Sequence, residues 1–288
     1  MIYFQDQHEE RFCSLFLQAM DVPGVVLTDK KYIPSLFLGR EVLVDIYLPP
    51  NLAEANQVSL LLINDGQDLP KFHFDTMLKE MYAENLINPL ICVGIHCGKD
   101  RRMEYGTVGI PDYKGRGIKA GMYKRFVFGE LLPFIHQNYY AGNFKEMAYA
   151  GFSLGGLSAM DIVWNHPKQF SKVGVFSGSL WWRLKDLEKG YVEETDRIIH
   201  KIIREGEYAQ GLKFYFTTGS LDEKNDRNNN GIIDSIDDTL GLIDELKKKG
   251  YNHDDIFYRN YEDGKHDVKT WGKAMPDFLK WEIGRAHV

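Results

Sequence analysis

Short apolar runs alternate with amphipathic stretches along most of this chain. "EVLVDIYLPP" stops at a proline pair, "VSLLLIND" at a glycine turn and "PLICVGIHCG" at a polar loop; "MAYAGFS", "KVGVFSGS", "KFYFTTGS" and "DIFYRNYED" follow. Several of these runs are continuous rather than alternating, the pattern of strands covered on both faces. Between them, "FDTMLKEMYAENL" and "YKRFVFGELLPFIHQNY" repeat apolar residues at three- and four-residue spacing. "TLGLIDELKKKG" sets Leu240, Ile243 and Leu246 on one face and ends on lysines and Gly250, as a capped helix C-terminus does. Such alternation predicts an α/β fold, a mostly parallel central sheet with helices on both faces. The segment through about Gly39 reads as antiparallel N-terminal strands feeding that sheet. In such sheets ligands bind at the carboxyl ends of the strands, so the chemistry is sought there.

The 288 residues contain no repeat, no Pro- or Ser-rich linker and no low-complexity tract, so residues 1–281 read as one domain. The last seven, "EIGRAHV" (282–288), read as a translated sequencing adaptor and are set apart as a non-native tail. Net charge is −6, which argues against nucleic acid and against an anionic membrane surface as partners. The N-terminus lacks the basic start and unbroken apolar core of a signal peptide, and no run reaches the length of a membrane span. Cys13, Cys92 and Cys97 are an odd set, read as reduced thiols, and the expected location is cytoplasmic. His96 and Cys97 are adjacent, so on a strand they point to opposite faces and cannot share a metal ion.

"MAYAGFSLGGLSAM" holds G-x-S-x-G at Gly151, Ser153 and Gly155, with an apolar strand before it and an Ala/Met/Leu-rich helical run after it. That context predicts the strand–turn–helix elbow of the α/β-hydrolase fold, with Ser153 as nucleophile and the Leu154 backbone N–H at the developing oxyanion. A serine hydroxyl needs a base, and in that fold the chain order is Ser, acid, His. Of His166, His200, His253 and His266, only His266, in "YEDGKHDVKTW", directly follows a strand and opens a helix. His287 lies in the suspect tail. Asp222, Glu223 and Asp226 all follow the strand "LKFYFTTGS"; Asp222, the first acid after the turn, is the choice and Glu223 the rival.

In their order and spacing, "VDIYLPP", "LLINDGQ", "RRMEYG", "ELLPFI", "AGFSLGG", "FSGSLWW", "TTGSLDE" and "DGKHDVKTW" resemble the family of enterochelin esterases, esterase D-type enzymes, carbohydrate acetyl and feruloyl esterases and mycolyltransferases. The likeness spans roughly Gly39 to Trp281. It implies a Ser–Asp–His hydrolase of small-molecule carboxylic esters, of siderophore or aryl/sugar acyl type, with no cofactor for catalysis. It further implies that the loop after "LLIND" gives a second oxyanion donor, assigned to the Gln67 N–H. Arg101 or Arg102 would hold an acidic substrate, unless an Arg pairs with Glu104 to brace the loop. Trp181 and Trp182 would floor a sugar or catechol ring, or simply pack. His96 stands where relatives often carry Asp or Asn. An acyltransferase on the same fold and a non-catalytic binding scaffold are the alternatives.

"DRNNNGIIDSID" matches the opening of an EF-hand loop. Asp226, Asn228, Asn230, the Ile232 carbonyl, Asp234 and Asp237 take its ligand positions, for a structural Ca2+ or Mg2+. Asp237 replaces the usual twelfth-position Glu, so weak or moderate affinity is expected. The other reading is an Asn/Gly turn that opens a helix with acidic residues.

Overall fold

A computed structural model describes residues 26–50 and 52–284; the expectations for Cys13, the N-terminal stretch and His287 fall outside these. One eight-stranded sheet dominates, in the order β1-β2-β4-β3-β5-β6-β7-β8. β1 (Leu27–Ser35) and β2 (Arg40–Leu48) form an antiparallel hairpin, and β2 pairs antiparallel with β4 (Leu90–Ile95). β3 (Ser59–Asn64), β4, β5 (Met147–Phe152), β6 (Lys172–Phe176), β7 (Lys213–Leu221) and β8 (Ile256–Lys265) run parallel. This is the expected architecture, antiparallel start included.

The continuous apolar runs have the predicted cause. Successive strand residues point to opposite faces. Leu60 and Leu62 of β3 join one core, and Leu61 and Ile63 join the other. The second core is covered by α1 (Phe74–Ala83) and α7 (Val268–Ile283). The first is covered by α2 (Ala120–Phe126), α3 (Leu132–Asn138), α4 (Leu154–Asn165), α5 (Ile198–Glu205) and α6 (Asp234–Lys249).

One helix departs from the sequence reading. The single helix expected over "YKRFVFGELLPFIHQNY" is α2 and α3 joined by a π turn, Val127–Leu131. Pro133, near the start of α3, lacks the N–H that an unbroken α ladder needs, and a wider turn absorbs the missing bond. α7 continues through Ile283. Glu282 is buried there with no hydrogen-bond partner for either carboxylate oxygen among the described residues, and burial pushes its carboxyl up to about 8.

Candidate active site

The turn between β5 and α4 forces its central residue into a strained conformation. Ser153 sits at φ 54°, ψ −119°, outside the regions an L-residue ordinarily adopts. The turn is tight enough that a Cβ on Gly151 would lie 2.4 Å from the Gly155 carbonyl carbon, which explains the glycine. The elbow is tied to its neighbours through the backbone. Ser153 N–H donates to Phe176 O at 2.9 Å, and Ser179 N–H donates to Ser153 O at 3.0 Å. The Ser179 hydroxyl lies 3.2 Å from Ser153 Oγ. Leu154 is the first residue of α4, so its N–H has no partner within the helix and is free to meet an anion.

Asp222 stands just past β7, two strands from the one that leads to Ser153. Gly219 N–H donates to its Oδ2 at 3.1 Å, while its Oδ1 is buried with no hydrogen-bond partner among the described residues. Burial raises this carboxyl above its ordinary value against the Gly219 N–H, the Ser177 hydroxyl and His266, which favour the carboxylate. Its rival Glu223 turns elsewhere, accepting from Asn225 Nδ2 at 3.0 Å on the side of the acidic loop. His266 follows β8, one strand further on, with its ring edge-on to Trp271. Partial desolvation holds the imidazole below its ordinary value; Asp222 pulls it up, and Arg101 pushes it down again. No hydrogen bond joins His266 to Ser153 or Asp222 among the described residues. In unliganded sites such bonds are often long and tighten only around substrate.

The other histidines have structural surroundings. His166 Nδ1 meets Ile162 O at 2.9 Å at the end of α4. His200 is fully buried, held against Asp238 O at 2.8 Å, and burial keeps it neutral. His253 lies on the surface. His96 pairs with the buried Asp45 at 2.8 Å.

Gln67 lies in a 3₁₀ turn, Gly66–Phe72, that begins directly after Asp65. Its side chain is pinned: Oε1 accepts from Cys97 N–H at 3.1 Å, and Nε2 donates to Asp65 Oδ1 at 3.1 Å. The sequence reading overlooked Asp65. It takes a left-handed conformation, φ 62°, and its carboxylate receives Arg101 Nε at 2.7 Å and Nη2 at 2.6 Å. The same Nη2 reaches Phe152 O at 3.4 Å, one residue before Ser153. Arg101 therefore ties the loop after β3 to the elbow. Glu104 pairs instead with Arg40, at 2.9 and 2.7 Å, so the expected Arg–Glu brace within "RRMEYG" does not form. Arg102 is exposed, its carbonyl accepting from Gly117 N–H.

Of the tryptophan pair, Trp182 is completely buried against Gly106 and Gly117, so it packs and cannot floor a ring. Trp181 remains half-buried at the strand end. Ser177 and Ser179 were also missed. "FSGS" after a strand was their one signal, a pair of hydroxyls at the edge where ligands bind.

In the acidic loop, Asp226 accepts from the N–H groups of Asn230 and Gly231, and Asp237 accepts from the Asn228 and Asn230 amides. Asp234 is taken by Arg227, whose side chain turns inward to Asp238 and Glu193. The Ile232 N–H donates to Asn230 Oδ1 at 2.8 Å. Among the described residues no group of three or more His, Cys, Asp or Glu side chains could hold a metal ion. None of the described helices is long and apolar enough to cross a membrane.

YjcH of Bacillus subtilis is 22% identical over 257 residues, covering 88% of this chain and 95% of that one. The enterochelin esterase of Shigella flexneri superposes with TM-score 0.68 at 20% identity, over 91% of this chain; this chain spans only 58% of the Shigella one. An IroE-like serine hydrolase from Shewanella oneidensis superposes with TM-score 0.63 at 20% identity, over 88% of this chain and 79% of that one. The family model described as "Putative esterase" matches residues 35–281, and the chain belongs to that family.

Proposed function

We propose that this chain is a carboxylic-ester hydrolase that works through an acyl-enzyme on Ser153. The observation that carries the reading is the strained serine at the strand–helix elbow, with an acid and a histidine at the ends of strands further along the same sheet. Ser153 Oγ attacks the ester carbonyl while His266 takes its proton. The unpartnered Asp222 Oδ1 accepts from His266 Nδ1–H, which fixes the tautomer and stabilises the imidazolium. The N–H groups of Leu154 and Gln67 hold the oxyanion. His266 then protonates the departing alcohol, and water repeats the sequence on the acyl-enzyme. Relatives named as an enterochelin esterase and a serine hydrolase support this class, and siderophore-type or aryl/sugar acyl esters are the substrates we propose. The free thiols of Cys92 and Cys97 suit a cytoplasmic setting.

The pH–rate profile tests the base. His266 must be neutral to act, so activity is lost as pH falls through its pKa. Because that pKa is lowered from the ordinary 6.5, half-maximal kcat/KM on a neutral p-nitrophenyl ester should fall below pH 6.5. An acid limb centred above pH 7 would contradict the lowered pKa, and a His266→Ala variant that keeps the wild-type rate would contradict His266 as the base.

We also propose that the loop at 226–237 takes a weak structural Ca2+. In support, Asp226 and Asp237 gather Asn228 and Asn230 between them, while Gly231 makes the left-handed turn at φ 84°. With Asp234 held by Arg227, affinity is low. Calcium at about tenfold its Kd adds about 1.4 kcal/mol, so Tm should rise by roughly 2–3 °C and EDTA should reverse it. If Tm ignores both, hydrogen bonds alone close the loop.

A further inference from the structure

Beyond the nucleophile lies an arginine with no acid. Arg116 shows the ordinary arrangement: its guanidinium lies 5.0 Å from the ring centres of both Trp181 and Trp182, and its Nε donates to the buried Asp112 at 2.7 Å. Arg183 has the rings without the carboxylate. Its guanidinium carbon lies 5.0 Å from the Tyr113 ring, 5.8 Å from Trp181 and 5.9 Å from Tyr191. No ion pair reaches it among the described residues. Its Nε is buried with no hydrogen-bond partner, and Nη2 meets only the Tyr113 hydroxyl, at 3.5 Å. The acid beside Tyr191, Glu193, is taken by Arg227 at 2.7 Å and Arg197 at 3.3 Å, and Lys185 takes Asp196. A desolvated guanidinium donor without an acceptor is costly, and planar carboxylates fit its fork.

The position is as telling as the vacancy in its pairing. Ser179 touches the nucleophile, and Trp182 N–H closes a turn back onto Ser179 O at 3.3 Å. Trp181 stands inside that turn and Arg183 directly after it. We infer that Arg183 is a specificity-determining residue that binds a carboxylate carried on an aromatic ring of the ester, with that ring against Trp181. This rests on the ester-hydrolase reading of Ser153 and narrows its substrates to carboxylate-bearing aryl esters.

Two matched ester pairs test it and separate the two halves of the substrate. 3-Acetoxybenzoate against its methyl ester puts the charge on the alcohol half; p-nitrophenyl 3-carboxybenzoate against p-nitrophenyl benzoate puts it on the acyl half. The wild-type protein should prefer the charged member of one pair. Arg183→Gln should lower kcat/KM for that member by about tenfold or more, mostly through KM, with the neutral member within about twofold. Arg183→Lys should restore only part, since an ammonium lacks the fork. Neutral esters cleaved with no charge preference, or Arg183→Gln slowing both members equally, would overturn this inference and leave the Ser153 reading intact. Failure to cleave any of the four esters would overturn both.

Discussion

Replacing Arg101 by alanine should cost about 3–5 kcal/mol of stability, the usual penalty for stranding one partner of a buried ion pair. Asp65 is almost completely buried, with a side-chain exposure of 2%, and Arg101 supplies its two shortest contacts. Without the guanidinium, Asp65 keeps the Gln67 amide on its carboxylate. It must then draw water into the space beneath the elbow. Activity should fall as well. Asp65 holds a left-handed backbone, and a Cβ on the next residue, Gly66, would lie 2.3 Å from the Gly94 carbonyl carbon. That crowding restricts the loop after β3, and Arg101 clamps it to Phe152. Urea unfolding of Arg101→Ala, Asp65→Asn and the double variant measures the coupling directly. The double variant should be more stable than the sum of the single losses predicts. Additive losses would mean that Asp65 finds other partners and that the clamp carries no energy of its own.

Much of this was legible in the chain because two periodicities rarely mislead. Leu60 to Ile63 could only be a strand buried on both sides, and the two cores divide those four residues between them. The elbow was legible because glycines bracket a serine between a strand and a helix; a Cβ on Gly151 shows why they must be glycine. His266 was legible by position, after a strand and before a helix. What escaped were long-range pairs. Arg101 and Asp65 are 36 residues apart and Arg40 and Glu104 are 64 apart, and no local pattern says which acid an arginine will find. The guess that Glu104 braced its own loop failed for that reason. Trp181 and Trp182 look equivalent in sequence, but the chain turns between them, leaving one half-buried and one in the core. Arg183 gave no signal at all, since an arginine is notable only once its missing partner can be seen.

The central claim is that Ser153 is the nucleophile. Ser153→Ala should lower kcat by roughly 10⁴–10⁶-fold, the range seen when a triad serine is lost. The fold should hold, since the backbone bonds from Ser153 to Phe176 and Ser179 need no hydroxyl. The most direct measurement is mass spectrometry after treatment with a fluorophosphonate, whose phosphorus forms a bond to an activated serine oxygen as fluoride leaves. The account predicts one adduct per chain, on the peptide that contains Ser153, and none on folded Ser153→Ala. A folded wild-type protein that takes no adduct, or an alanine variant that is labelled and cleaves p-nitrophenyl esters as fast as wild type, would contradict it.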